Sequence, residues 1–478
     1  MADFSFYWHD YETFGTDPAR DRPSQFAGIR TDADFNIIGE PLVIFCKPAD
    51  DMLPHPEACL VTGITPQQAL EQGLPEVEFI RQIHAEFVQP GTCAVGYNSI
   101  RFDDEFSRYT LYRNFYDAYA REWQNGNSRW DIIDMVRLCC ALRPEGIVWP
   151  THEDGTTSFR LEQITEANGI SHEAAHDALS DVHATIAVAK LIKDKQPRLF
   201  DYVFKLRNKR DVAALLNVAE KKPVLHTSAM FPASRFCSSL VMPLAMHPTN
   251  KNGVICYDLA VDPTPLIELN AEQIADRLYT PAAELPEGLA RIPLKTIHTN
   301  RCPVVATTSL LTDTVAERIQ LDLPQTRQHY KLLMQAGSLT EKLAEVFSSQ
   351  NFPEQKDPDT MLYGGGFFGQ NDKSVMAQVR SSTPEELRDN TFYFEDTRLT
   401  EMLFRYRARN YPESLTEEER LQWQEYRYQR LTEADGGGSL VLEDFLENVQ
   451  NRLEAEAISP RDQQILEQLL DYSDQLLA

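Results

Sequence analysis

Long apolar runs are missing from this chain. None approaches the ~20 residues that a membrane-spanning helix requires, so no transmembrane segment is expected. The start, Met1-Ala2-Asp3-Phe4, lacks a basic region, a long apolar stretch and a small-residue cleavage site, which argues against a secretion signal. Both absences point to a cytoplasmic protein. Paired cysteines are missing too: the eight cysteines (46, 59, 93, 139, 140, 237, 256 and 302) never form CxxC. Most sit among apolar neighbours, as in Ile44-Phe45-Cys46, so buried free thiols are expected rather than zinc sites or a disulfide framework. Positive charge is scarce. With 46 Lys and Arg against 72 Asp and Glu, the formal charge of -26 excludes a protein sheathed in nucleic acid, although a local basic groove remains open. Neither glycine cluster, Gly364 to Gly366 or Gly436 to Gly438, has the flanking Lys-Ser/Thr of a phosphate loop, and both read as hinges or helix connections.

What is present suffices for several cores. A chain of 478 residues with 42% hydrophobic and 10% aromatic side chains is typical of a globular protein of two to four domains. Residues 4 to 10, 25 to 30 and 41 to 46 read as three strands of an antiparallel meander, with Asp32 to Asn36 as a polar turn. Residues 76 to 88 place Val77, Ile80, Ile83, Phe87 and Val88 near one helical face, and "TCAVGYN" comes next as a buried fourth strand. "FDDEFSRYTLYRNFY" starts with acids that favour a helix N-terminus, and a further helix is expected across 174 to 194. "KQPRLF" at 195 to 200 reads as a linker. Between about 198 and 345, short apolar strands separated by Pro, Asn and Gly predict a small β-barrel or sheet with attached helices. From about 350 to 478, long charged segments at helical spacing predict an α-helical domain.

Three segments carry candidate chemistry. In "HDYETFG", Asp10 and Glu12 stand at i and i+2 of a strand, so they project from one face while His9 and Tyr11 point away. Two carboxylates held that close raise each other's pKa unless a cation lies between them, and a hard ion such as Mg²⁺ or Mn²⁺ prefers their oxygens. The bland alternative is a strand end entering solvent. "GYNSIRFDDEF" puts Asn98, Phe102 and Asp103 at a strand-to-helix junction, where Asp103 either caps the helix or reaches a metal cluster. "HDALSD" puts His176 five residues before Asp181, with Asp181 on a helix.

The order D-x-E, N-x-x-x-F-D, H-x-A-x-x-D resembles the three motifs of the DEDD superfamily of 3'→5' exonucleases in its histidine branch, with all four acids and the histidine present. "HDYETFG", "ALRPEGI" at 141 to 147, "SFRLE" at 158 to 162 and "RARNYP" at 407 to 412 narrow the resemblance to the bacterial exonuclease I family, across the first and last thirds of the chain. The resemblance implies an α/β ribonuclease H-like exonuclease domain over 1–197, an SH3-like α+β domain over 198–348 that clamps DNA, and an all-α C-terminal domain over 350–478. It also implies hydrolysis of single-stranded DNA to 5'-mononucleotides, in DNA repair and recombination, by a monomer with no membrane association.

On that reading Asp10, Glu12, Asp103 and Asp181 balance the charge of two Mg²⁺ ions, with Mn²⁺ possible in their place, and His176 orients and deprotonates the attacking water. Glu12 and Arg160 are expected to contact substrate, the arginine as a fork for phosphate oxygens, unless it pairs with Glu162 instead. For the single strand itself, residues 198 to 222 hold seven Lys or Arg, Lys209 among them, against three acids, and form a candidate channel wall. "RYTLYRNFYDAYAREW" interleaves Arg108 with aromatics, of which Tyr119 and Trp123 are candidate base-stacking platforms and the rest read as core. The resemblance further implies a partner, the single-stranded-DNA-binding protein with its acidic tail; Arg143 and Tyr202 are candidates to meet that tail from their position and type, the alternative being a solvated surface arginine.

Three rivals share parts of this pattern. An RNA-trimming enzyme of the same superfamily would have the same metal site, but such enzymes are typically much shorter. An idle binding scaffold would have lost an acid or the histidine. A proofreading subunit would not need its own accessory domains.

Overall fold

The computed structural model describes residues 4–172, 177–349, 355–455 and 457–477, which fall into two compact units. One takes in Met1–Ser128, His172–Thr185 and Glu354–Ala478; the other takes in Arg129–Ser171 and Ile186–Pro353. Among the described residues no helix is long and apolar enough to cross a membrane.

Four strands lie in the first unit: β1 (Ser5–Thr13), β2 (Pro23–Thr31), β3 (Leu42–Phe45) and β4 (Thr92–Gly96), in the order β3-β2-β1-β4. The first three form the expected antiparallel meander, with Phe26 opposite both Tyr11 and Ile44. Its polar turn is closed by Asp32, whose Oδ1 accepts the backbone N–H groups of Asp34 (2.8 Å) and Asn36 (2.9 Å). β4 is fully buried and runs parallel to β1, pairing Phe6 with Cys93 and Trp8 with Val95, which makes the sheet mixed.

The period-two alternation of β1 sorts its side chains between the two faces of the sheet. Tyr7, His9 and Tyr11 pack on one face against Phe26 and Phe87, and the helix Glu76–Phe87 covers that face with buried Phe79, Ile80 and Ile83. Phe6 and Trp8 take the other face against Phe35. Asp10 and Glu12 continue that second face to the strand's end, where the pairing with β2 shifts register between Glu12 and Thr13.

The C-terminal helices Arg398–Asn410, Glu417–Thr432, Leu442–Leu453 and Pro460–Leu477 confirm the helical reading. They share a core with the N-terminal segment, where Phe14, Met52 and Leu53 pack with Leu431, Phe445, Leu466 and Leu469. A buried ion network adds to this core. Arg409 Nη2 bridges Asp51 Oδ2 and Asp359 Oδ2, each at 2.7 Å, Arg405 Nη1 meets Asp359 at 3.1 Å, and Arg430 Nε lies 3.4 Å from Asp51.

The strand β5 (Ser128–Asp131) spans the boundary between the units. The second unit contains β6 (Val224–Thr227), β7 (Ser238–Met246), β8 (Gly253–Asp258), β9 (Leu294–His298) and β10 (Val304–Thr307). Their order is β10-β6-β7-β8-β9 with every pair antiparallel, the small sheet expected for the middle region. Pro243 sits where the β7–β8 register slips, a position that tolerates a residue with no N–H to give. Leu206, which follows the helix Pro197–Lys205, and Val212 of the helix Lys209–Leu215 join a core shared with Val241, Val254 and Val305.

One expectation fails here. "KQPRLF" is no linker: Ala178–Lys195 is a helix, and after Gln196 the next helix, Pro197–Lys205, begins at once. Proline at the first helical position starts a helix, because its missing N–H has no partner to lose there. Phe200 and Phe204 of this helix pack against Trp130.

All eight cysteines are buried free thiols, as expected.

Candidate active site

Asp10 and Glu12 leave the end of β1 on one face, and Asp181 reaches them from the first turn of the helix Ala178–Lys195. One carboxylate oxygen from each of the three lies within 4.8 Å of the others. The start of that helix is pinned on the side of β2. Ala178 N–H donates to Gln25 Oε1 (3.4 Å), and Gln25 is the residue opposite Glu12 in the β1–β2 pairing. Asp177 caps the helix by accepting Ser180 N–H at 3.2 Å.

Asp103 joins through the backbone. It opens the helix Asp103–Arg113, is 3% exposed, and its Oδ1 accepts the N–H of Tyr11 at 2.9 Å, the residue between Asp10 and Glu12. β4 pairs with β1 only as far as Trp8, and Asp103 takes the Tyr11 donor beyond that point. Tyr11 is fixed from its other end by the Ser107 hydroxyl, which donates to the phenol oxygen at 3.0 Å. The next two acids diverge. Asp104 turns into a buried ion pair with Arg121 (2.6 Å), and Glu105 pairs with Arg108 (2.7 Å).

The electrostatics are those of a site that repels itself. Burial holds the Asp10 carboxyl well above the usual carboxylate range, reinforced by Asp103, Glu12, Asp181 and Asp177. Burial and the charges of Asp181, Asp103 and Asp177 push Glu12 up to about 9. The neighbours that act most on both groups are acids. Such a pocket attracts cations, and the carboxylate oxygens of Asp10, Glu12 and Asp181 suit a hard divalent ion.

Two residues of this site were missed by the sequence reading. Asp177 acts on both Asp10 and Glu12, although its place just before a helix marks it only as a cap. His172 lies nine positions before Asp181, a spacing that carries no signal, yet its Nε2 is 2.5 Å from Asp181 Oδ1. His176, the expected general base, lies outside the described residues.

The other expected contacts are distributed over both units. In the first, Trp123 is 65% exposed, and Tyr119 packs edge-on against Phe367 with the Arg108 guanidinium 5.3 Å from its ring centre. Arg108 itself is buried. It gives Nε and Nη2 to Glu122 at 2.7 and 2.9 Å, and Nη1 to Glu105 and the Tyr363 hydroxyl at 2.7 and 2.9 Å, so its guanidinium is engaged within the protein. In the second unit, Arg160 is exposed at the N-terminal boundary of the helix Leu161–Ala167, and among the described residues it makes no ion pair with Glu162. Lys209 opens an exposed helical turn, Tyr202 donates its hydroxyl to Val305 O at 3.0 Å, and Arg143 Nη1 donates to Leu142 O at 2.6 Å.

Comparison with known proteins covers the whole chain. Three family models match in succession: "Exonuclease" over residues 7–189, "Exonuclease I SH3-like domain" over 207–349 and "Exonuclease I C-terminal domain" over 356–476. The exodeoxyribonuclease I of Haemophilus influenzae is 46% identical over 479 residues, covering 100% of both chains. Among solved structures, exonuclease I of Methylocaldum szegediense superposes with a TM-score of 0.96 at 53% identity, covering 99% of this chain and 100% of that one. The zinc-bound form of the Escherichia coli exonuclease I complex with single-stranded DNA superposes with a TM-score of 0.95 at 46% identity, covering 100% of both.

Proposed function

Because the chain belongs to the exonuclease I family, we propose that it degrades single-stranded DNA from the 3' end to 5'-mononucleotides, as a cytoplasmic monomer in DNA repair and recombination. The observation that carries this reading is the meeting of Asp10, Glu12 and Asp181 within 4.8 Å, in a pocket where burial and then neighbouring acids hold Asp10 and Glu12 above the usual carboxylate range. On this reading Asp10, Glu12, Asp103 and Asp181 hold two divalent cations, Mg²⁺ or in its place Mn²⁺. Bound there, such cations polarise the phosphoryl group, make a neighbouring water acidic and offset charge on the departing 3' oxygen.

The chain's own residues supply the rest. His176 orients the attacking water and takes its proton, since an imidazole titrates near neutrality. Glu12 and Arg160 contact the terminal nucleotide, the arginine by forked donation to phosphate oxygens. Trp123 and Tyr119 offer faces to bases, Arg108 serves by holding Tyr119, and Lys209 with its basic neighbours attracts the phosphate backbone. We take 1–197 as the nuclease domain, 198–348 as the SH3-like DNA clamp and 350–478 as the helical domain. The acidic tail of the single-stranded-DNA-binding protein meets Arg143 and the ring of Tyr202.

The test offers single-stranded DNA, duplex DNA and RNA, each labelled in its 3'-terminal nucleotide, to the full chain with Mg²⁺ or EDTA. Metal-dependent release of mononucleotides from DNA 3' ends is expected. Equal rates on RNA, or activity that survives EDTA, would overturn the reading.

A further inference from the structure

Asp181 is held from outside the acid cluster as well as by its own helix. Its main-chain N–H is bound to Asp177 O at 3.0 Å, which fixes the helix start but not the rotation of the carboxylate. His172 fixes that rotation. Its side chain is 4% exposed and its Nε2 lies 2.5 Å from Asp181 Oδ1; with Asp181 ionised, as a carboxylate that holds a cation must be, Nε2 is the donor of this hydrogen bond. His172 therefore engages Asp181 Oδ1 while the carboxylate stays within reach of Asp10 and Glu12. A hydrogen-bond donor on one oxygen also draws charge out of a group that faces other carboxylates.

We propose that His172 is a positioning residue for the metal site: it sets the orientation of the Asp181 carboxylate and keeps it ready for a cation before any cation or DNA arrives. The inference rests on the metal-dependent reading above. It gives His172 a role separate from proton transfer, since the ring is engaged with a ligand carboxylate and acts through it. Partners of this kind around metal ligands typically contribute 10- to 100-fold in metal affinity.

The experiment titrates Mn²⁺ into the DNA-free full chain and follows the free ion by electron paramagnetic resonance, for the parent, His172→Leu and His172→Gln. Steady-state turnover on single-stranded DNA is measured alongside, across Mn²⁺ concentrations. His172→Leu should bind Mn²⁺ about 10- to 100-fold more weakly. Its kcat should recover as Mn²⁺ is raised, with KM for DNA unchanged, and His172→Gln, which keeps an N–H, should restore most of the affinity. His172→Ala replaces the leucine variant if circular dichroism shows the latter unfolded. Parental Mn²⁺ affinity in the donor-less variant would overturn the proposal, as would a loss of kcat that no Mn²⁺ concentration repairs. A parent that binds Mn²⁺ but releases no nucleotide would defeat the nuclease reading instead, and the binding comparison would still decide the role of His172.

Discussion

Two groups of buried carboxylates in the same unit behave in opposite ways. At the end of β1, burial raises Asp10 and Glu12, and neighbouring acids raise them further. Under the C-terminal helices, burial also acts to raise Asp51 and Asp359, yet Arg409, with Arg430 beside Asp51 and Arg405 beside Asp359, holds both well below the usual carboxylate range. Desolvation is common to both places, so the difference lies in what stands opposite the charge. One group carries its countercharge in the fold, on guanidinium forks that match carboxylates. The other has acids for neighbours, and its empty state is the less stable for it.

The contrast can be broken most decisively at the acids themselves. Asp10→Asn or Asp181→Asn should lower mononucleotide release by about 10³-fold, the scale of losing a principal charge-stabilising group, while Asp10→Asn raises the melting temperature in EDTA because the buried carboxyl that folding must keep protonated or ionise among acids is gone. An equal loss of stability in Asp10→Asn and Asp51→Asn would mean that the two groups are alike after all. Next in size is Arg409→Met, which leaves Asp51 and Asp359 buried without their shared partner. A loss of about 3–5 kcal/mol is expected in urea unfolding, and a midpoint unmoved from the parent would remove the network from the account of stability.

The pH dependence separates the two groups by sign. Glu12 has a folded pKa of about 9 against an ordinary 4.5, so between those values the folded state holds a proton that the unfolded state has released. Stability contributed by this group therefore falls as pH rises from about 5 to 9. Asp51 is shifted downward, so its contribution is full above its unfolded pKa and disappears only as pH falls toward its folded one. In EDTA the melting temperature of Glu12→Gln should draw ahead of the parent as pH is raised toward 9, and added Mn²⁺ should close the gap. A gap that stays constant with pH would contradict the assigned shift. The smallest effect belongs to a pair that is neither buried nor unpaired. Arg81 and Glu78 meet at 2.6 Å on the helix Glu76–Phe87 with 61% and 34% of their side chains exposed, so Arg81→Ala should move stability by about 0.5 kcal/mol or less.

How much of this was legible in the sequence depends on the range of the interaction. The pair Asp10 and Glu12 could be read because strand alternation is local and needs no partner. The meander and the helix over 76–87 were readable for the same reason. Asp103 was set apart from Asp104 and Glu105 only by the family motif N-x-x-x-F-D, because consecutive residues on a helix point about 100° apart and local pattern alone does not say which direction faces the acid cluster and which an arginine. Arg108 illustrates the limit: its aromatic neighbours suggested a DNA contact, and the structure gives it Glu105, Glu122 and Tyr363. The arginine network joins residues 358 positions apart in Asp51 and Arg409, a separation at which a single sequence carries no pairing signal.

The burial of every native thiol has a practical consequence for watching the protein at work. Burial pushes the Cys59 and Cys139 thiols up to about 12, and all eight sulfurs are shielded from solvent, so a maleimide at neutral pH finds no ready target in the folded chain. A cysteine introduced at exposed Lys209 would be the one reactive sulfur on the surface. A fluorophore placed there could time the arrival and departure of a strand without replacing any residue of the core.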